Sequence, residues 1–217
     1  RVVARQQQVV RIDREKRRAI SNDQVMALIE RLRPLLSELD GIIIEDYGKG
    51  LVTAELVEAL LGAVPKDDLV ITVDPKPGNP IEWRGVTTVK PNRAEAFACA
   101  GVEDVNRDTG LDPLKDEPLL EVGKSLLQRW MLVCTEGEDP ILVPAKAREV
   151  FDVSGAGDTA IAIYTLGLCS GLSSSAAAKV SNLASSIVVG KLGTSPIEKE
   201  ELLESVQREF PAGISFS

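Results

Sequence analysis

A short segment of small residues, Gly155, Ala156 and Gly157, is followed by the carboxylate of Asp158. The segment stands directly before apolar residues at helical spacing. Small residues leave backbone N–H groups accessible, and the positive end of a helix adds to them, so this segment can hold the charge of a phosphoryl group. A carboxylate would repel a phosphate that it only had to bind, but it can accept a proton from a hydroxyl group that attacks that phosphate. The segment is therefore compatible with phosphoryl transfer in which Asp158 acts as the catalytic base.

A simpler interpretation of the same segment is an ordinary glycine turn, because short glycine motifs are frequent by chance. Asp158 would then only stabilise the first turn of its helix. The chain contains no histidine, so proton transfer must use another side chain, and a carboxylate is the first candidate. Residues elsewhere in the chain have to decide between the two interpretations.

Polar loops follow three predicted strands, which are Gly41–Glu45, Leu69–Val73 and Val86–Val89. Ligands bind beyond the carboxyl ends of parallel strands, so the loops at 46–50, 74–79 and 90–95 are expected to cluster. Each loop also has a structural interpretation: Asn92 with Glu95 could form a capping box, and Lys76 could be a surface lysine.

The elements that position these loops alternate between strands and helices, which predicts an α/β fold with a mostly parallel sheet and helices on both faces. Residues 1–217 are predicted to form one domain. The expected helices begin near Asn22 and after Thr53, and the others span the following ranges: 93–99, 117–130, 156–170, 174–189 and 197–208. The opening stretch, Val2 to Asp13, is predicted as a strand.

The amino-acid composition excludes some classes of binding partner. The formal net charge is −8, with 33 acidic and 25 basic residues, which argues against nucleic acid and anionic membranes. Cys99, Cys134 and Cys169 lie far apart and suggest buried thiols in a reducing compartment. No stretch approaches the roughly 20 apolar residues of a membrane span, so a cytoplasmic protein with a small-molecule partner is expected.

Residues 152–159, Asp-Val-Ser-Gly-Ala-Gly-Asp-Thr, resemble the second signature of the PfkB family of carbohydrate kinases. The resemblance implies a ribokinase-like fold, ATP and Mg²⁺ as cofactors, and Asp158 as the base. The resemblance extends to four further segments: Asp74-Pro-Lys76, Asn92-Arg-Ala-Glu95, Thr135-Glu-Gly137 and the helix around Asn182. It implies a nucleotide-binding role for the following residues in them: Lys76, Asn92, Glu95, Thr135, Gly137 and Asn182. Glu95 would act on Mg²⁺ indirectly, and Asp152, with carbonyls near Val153 and Gly193, would hold a monovalent cation such as K⁺.

Three further segments, at 1–14, 46–50 and 188–194, look more like the heptose 7-phosphate kinases than like ribokinase or fructokinase. This implies that D-glycero-D-manno-heptose 7-phosphate is the acceptor, on the route to lipopolysaccharide. Arg5, Asp46 and Lys49 would bind that acceptor, and the two cations among them, Arg5 and Lys49, suit a phosphorylated sugar. Other sugar or nucleoside kinases and a non-catalytic nucleotide-binding module stay open as alternatives, and a homodimer is an open possibility.

The sequence also departs from the family pattern. The glycine–asparagine sugar-binding motif and lid strands of the family's amino-terminal part are absent, and residues 130–144 are shorter than in relatives. A sugar site needs a second wall, so we expect roughly 80 to 120 further residues ahead of Arg1.

Overall fold

The computed structural model describes residues 2–4, 7–10, 12, 14–65, 69–107, 109–130, 140, 142–143, 155–191 and 195–214. Within those ranges the elements in chain order are as follows: β1 Val2–Ala4, β2 Gln7–Val10, α1 Asn22–Leu36, β3 Gly41–Glu45, α2 Ala54–Ala63, β4 Val70–Asp74, β5 Thr88–Val89, α3 Arg93–Ala100, a 3₁₀ turn Pro113–Lys115, α4 Glu117–Trp130, α5 Ala156–Cys169, α6 Ser174–Val189 and α7 Lys199–Glu209.

The three strands predicted in the middle of the chain form a parallel sheet in the order β3-β4-β5. Gly41 pairs with Val70 and Glu45 pairs with Asp74, so β3 and β4 end at the same level. Because the strands are parallel, the segments that follow Glu45, Asp74 and Val89 leave the same edge of the sheet. This confirms the predicted α/β class and brings the three polar loops together.

One face of the sheet packs on the larger hydrophobic core. Ile44, Ile71 and Val73 point to this face and join a cluster with residues of the first four helices. Side chains of α1 such as Ile29 and Leu36 are almost completely buried there. Burial of each aliphatic side chain of this size stabilises the fold by about 1.5 to 3 kcal/mol. The apolar faces of α1 and α2 therefore cover one face of the sheet.

The opposite face of the sheet carries α5, with α6 packed behind it. The hydroxyl groups of Thr72 on β4 and Thr165 on α5 are 2.6 Å apart and buried. A Cβ on Gly41 would lie only 2.6 Å from the sulfur of Cys169, so a glycine is needed where α5 crosses β3. These contacts fix α5 over the sheet and set the position of its first residues.

The half-buried Cys99 and Cys169 are free thiols, and burial raises the pKa of each. Cys134 lies outside the described residues.

The opening stretch differs from its prediction. Instead of one strand, β1 and β2 form an antiparallel pair. No Gly, Pro, Asn or Asp lies between Ala4 and Gln7, so the usual signals for a turn are missing from the sequence. In the part of the chain that the structure describes, no helix combines the length and apolar character needed to cross a bilayer.

Candidate active site

A cavity of about 120 Å³ opens at the carboxyl ends of β3 and β4. It brings together residues from four segments of the chain that the sequence analysis had marked separately, and Asp46, Lys76, Glu95 and Asp158 all contribute to it. The complete lining is Glu45, Asp46, Tyr47, Asp74, Pro75, Lys76, Glu95 and Asp158. The cavity is therefore rich in carboxylates and lies where the topology predicts a ligand site.

The N-terminus of α5 lies beside this cavity and has no side-chain cap. Its N-cap residue is Gly155, which has a left-handed φ of 83° and makes no capping hydrogen bond. The N–H of Thr159 already bonds the Gly155 carbonyl, which leaves the N–H groups of Ala156, Gly157 and Asp158 without partners in the helix. Uncapped N–H groups at the positive end of a helix are suited to an anion such as a phosphate.

Asp158 lies in the first turn of α5 and is exposed. Within the described ranges its carboxylate carries no hydrogen bond or ion pair, whereas the neighbouring Asp74 is 3.0 Å from the ammonium of Lys90. A base must be free to accept a proton, so the position of Asp158 is compatible with that role. Its assignment as the catalytic base stays a prediction.

Lys90 is a site residue that the sequence analysis missed. A Cβ placed on Gly157 would lie 3.6 Å from Lys90 Nζ and 3.9 Å from Asp74 Oδ2. The lysine thus brings a positive charge to the same place as the uncapped N–H groups. The signal for it was its position directly after β5 and before Pro91, in a loop already expected at this edge.

Asn92 and Glu95 form a capping box at the N-terminus of α3. The N–H of Glu95 donates to Asn92 Oδ1 at 3.0 Å, and the N–H of Asn92 donates to Glu95 Oε2 at 2.8 Å. The structural interpretation of this pair is therefore present in the fold. Glu95 also lines the cavity, so the two roles are compatible.

Arg93 lies between those two residues in the sequence and connects α3 to the segment that follows it. Its guanidinium donates to both carboxylate oxygens of Asp104 at 2.6 Å and lies 2.7 Å from an oxygen of Asp116, which is fully buried. The hydrogen bond from Asn106 is the largest cause that lowers the pKa of Asp116, and Arg93 lowers it further. Sequence spacing gave no signal for this cluster, because its carboxylates lie more than ten residues downstream in an irregular segment.

The loop 46–50 is held by its own polar groups. Asp46 is buried, and its two oxygens accept hydrogen bonds at 2.7 Å from the Gly48 N–H and from the Asn79 side chain. Lys49 forms an ion pair with Glu15. Asp46 therefore stabilises the loop in addition to lining the cavity, and the Lys49 charge is partly balanced by Glu15.

Asn182 lies elsewhere, in a separate cavity of about 170 Å³. The other residues that line it are mainly apolar and include Leu142, Val143, Leu183 and Phe210. One helical turn further along α6, the Ser185 hydroxyl donates to the Ala156 carbonyl at 3.1 Å. The apolar cavity is therefore about one helical turn from the glycine segment, which would suit a planar base whose phosphates reach α5.

Four predicted site residues, Arg5, Thr135, Gly137 and Asp152, lie outside the described residues, as do Val153 and Gly193. Among the residues that are described, no three His, Cys, Asp or Glu side chains are grouped so that they could hold a metal ion. Mg²⁺ is commonly held by substrate phosphates and water with only one or two carboxylates, so this arrangement fits a metal that arrives with a nucleotide.

The fold and the glycine segment define an α/β protein with an uncapped helix N-terminus at the carboxyl edge of its sheet. The family model described as pfkB family carbohydrate kinase matches residues 54–201, and the chain belongs to that family.

Curated relatives include the bifunctional protein HldE of Desulfatibacillum aliphaticivorans, 37% identical over 95% of this chain, and that of Geobacter sulfurreducens, 35% identical over 95%. The chain spans 43% of each of these relatives, which is less than half of their length.

Solved structures support the fold. Phosphofructokinase-2 from Escherichia coli in complex with potassium matches with a TM-score of 0.65 at 17% identity, over 86% of this chain and 62% of that one. Arabidopsis thaliana ribokinase complexed with ribose and ATP matches with a TM-score of 0.62 at 16% identity, over 86% and 59%. The ribokinase-like architecture predicted from the sequence is confirmed.

Proposed function

We propose that this chain is the phosphoryl-transfer part of an ATP-dependent sugar kinase. The observation that carries the proposal is the juxtaposition of three features at one edge of the sheet: an uncapped helix N-terminus, the Lys90 ammonium with its partner Asp74, and the Asp158 carboxylate, which has no hydrogen bond or ion pair within the described residues. A phosphate held at the first two features would have the base beside it.

In the proposed reaction Asp158 accepts the proton of a sugar hydroxyl, and that oxygen attacks the γ-phosphorus of ATP. A new P–O bond forms to the sugar while the bond between the γ-phosphorus and the β-phosphate oxygen breaks, so ADP leaves with the bonding electron pair. The N–H groups of Ala156, Gly157 and Asp158, together with Lys90, stabilise the charge on the transferring group. The proton on Asp158 is then released to water.

Mg²⁺ would neutralise charge on the β- and γ-phosphates when the nucleotide binds. Glu95 would act on it through water, as the resemblance to the family implies, and it lines the same cavity as Asp158. Asp74 is less suited, since its charge is balanced by Lys90.

For the acceptor we propose D-glycero-D-manno-heptose 7-phosphate. Segments 46–50 and 188–194 resemble the heptose 7-phosphate kinases, and the curated relatives are bifunctional HldE proteins. Lys49, on the same loop as Asp46, would supply a cation for the phosphate of that acceptor.

The test is a comparison of acceptors with the full-length protein and Mg·ATP. ADP release in a coupled assay and ³¹P NMR of the product should show phosphorylation of heptose 7-phosphate with a kcat/KM at least about tenfold above fructose 6-phosphate, ribose and adenosine. Preference for one of the other acceptors would refute the heptose assignment. Nucleotide binding without transfer to any of them would favour the non-catalytic binding module instead.

A monovalent cation near Asp152 remains a prediction, since that residue lies outside the described part of the chain. An ion there would stiffen the adjoining phosphate loop, so turnover in K⁺ should exceed turnover in tetramethylammonium at matched ionic strength. Equal turnover in the two salts would contradict it.

A further inference from the structure

Tyr47 is an exposed aromatic residue at the edge of the carboxylate cavity. Its side chain is 59% exposed, although it lines the same cavity as Asp158. An exposed aromatic ring lacks the stabilising free energy that its burial would provide. Such rings often serve as contact surfaces for ligands. The sequence analysis treated the 46–50 loop only as a source of charge and gave Tyr47 no role.

The backbone on both sides of Tyr47 is fixed. The N–H of Gly48 donates to Asp46 Oδ1 across the tyrosine, and the Asn79 side chain holds the other Asp46 oxygen and the Val52 carbonyl. At the end of the loop, Gly50 lies so close to the backbone of Arg18 that a Cβ would come within 2.2 Å of its carbonyl oxygen. The ring is thus presented by a pre-organised loop, which is how binding residues are usually held.

Among the described residues, the phenol hydroxyl has one hydrogen-bond partner. It donates to Glu45 Oε2 at 3.1 Å, and Glu45 also lines the cavity. Partial desolvation, this hydrogen bond and the negative charges of Glu45, Asp158 and Asp74 together raise the pKa of Tyr47 to about 12. The phenol therefore stays neutral at physiological pH and its oxygen can still accept a hydrogen bond from a ligand hydroxyl.

We propose, resting on the sugar kinase function above, that Tyr47 and Glu45 bind the neutral polyol part of the acceptor. The ring of Tyr47 supports the apolar C–H face of the sugar, while the phenol oxygen and the Glu45 carboxylate accept hydrogen bonds from its hydroxyl groups. The sugar is then held with one hydroxyl directed to Asp158. The neutral phenol of Tyr47 is suited to this place, because a further negative charge would add to the repulsion among the carboxylates.

The experiment uses the full-length protein and the variants Tyr47→Ala and Tyr47→Phe. Tyr164→Phe is the matched control, because Tyr164 is the other tyrosine of the chain and lies on α5 without lining the cavity. We expect Tyr47→Ala to raise the acceptor KM about tenfold, and Tyr47→Phe to raise it about threefold, since the ring remains. The KM for Mg·ATP should stay within about twofold in all three variants.

Circular dichroism melting identifies any variant that fails to fold, and Glu45→Gln then supplies an independent probe of the same pair, with an expected rise in acceptor KM alone. An acceptor KM within twofold of wild type in folded Tyr47→Ala would overturn the inference. So would equal rises in the KM for acceptor and for Mg·ATP.

Calorimetric titration of heptose 7-phosphate separates this inference from the proposed function. Wild-type protein that binds the sugar phosphate but transfers nothing would contradict the kinase function, while weaker binding by Tyr47→Ala would still support the inference. Wild-type protein that neither binds nor phosphorylates it, or any other sugar tested, would overturn both.

Discussion

The N-termini of α3 and α5 lie at the same edge of the sheet and are built in opposite ways. At α3, the side chains of Asn92 and Glu95 satisfy the first N–H groups in a reciprocal capping box. At α5, Gly155 has no side chain to do so, and the first N–H groups stay open. The helices α1, α2 and α6 follow the pattern of α3, with capping side chains from Ser21, Thr53 and Ser173.

From this difference we expect α5, and not α3, to bind an anion at its N-terminus. A glycine N-cap costs only on the order of a few tenths of a kcal/mol relative to a good capping residue, but it leaves the first N–H groups of the helix in need of an acceptor. A bound phosphate supplies one, because it can accept the hydrogen bonds that a capping side chain would have accepted. The uncapped helix is therefore the expected phosphate site, and α3 is the expected support beside it.

The largest effect expected at α5 is that of Asp158→Asn. The change keeps the size of the side chain but removes the base, so nucleotide affinity should persist while kcat falls by roughly 10²-fold or more. Asp23→Asn is the control, since Asp23 is also a first-turn carboxylate, on α1. Coupled assay and calorimetry on the full-length protein measure the two quantities. A variant that keeps more than about a tenth of wild-type kcat would exclude Asp158 as the essential base.

Gly157→Ala tests the openness of the helix end itself. The added methyl group would lie at an ordinary contact distance from Lys90 Nζ, so the fold should tolerate it. It would, however, occupy the space over the open N–H groups, and we expect ATP affinity to fall about tenfold, which corresponds to roughly one lost hydrogen bond to a charged group.

Gly123→Ala is the matched control for that change, because a Cβ at Gly123 on the exposed side of α4 meets no atom within 4 Å. Alanine in a helix is about 1 kcal/mol more favourable than glycine, so this variant should be as stable as wild type or more so, with unchanged ATP affinity. Unchanged affinity in Gly157→Ala as well would contradict a phosphate site at α5.

The sequence predicted the elements of this fold closely wherever apolar periodicity was strong. The helices at 117–130 and 174–189 have the predicted bounds, and strand Gly41–Glu45 does too. Their patterns are local, since each buries a face whose spacing is visible in the sequence. The hairpin β1–β2 was missed because no turn residue marks it.

The residues of the candidate site could be predicted from the sequence only in part. Loops at strand ends could be placed at one edge, since parallel strands require it, and Asp46, Lys76, Glu95 and Asp158 do line one cavity. The contacts that fix those loops could not be foreseen, because they join residues distant in sequence. Asn79 holding Asp46 and Arg93 binding Asp116 are examples, and neither has a local signal.

The smallest effect concerns the capped helix α3, where Asn92 has both a structural and a predicted nucleotide-binding role. Asn92→Ala removes the capping oxygen and should lower the free energy of unfolding by about 1 kcal/mol, whereas Asn92→Ser keeps a good capping oxygen and should change it by less than about 0.5 kcal/mol. Serine cannot reproduce the reach of the amide toward a nucleotide, so Asn92→Ser should still raise the KM for Mg·ATP by about threefold. Urea unfolding and steady-state kinetics measure the two effects separately. A serine variant with wild-type stability and wild-type KM would show that Asn92 acts only as a capping residue. In that case α3 would support the site without contacting the nucleotide, and phosphate binding would be left to α5.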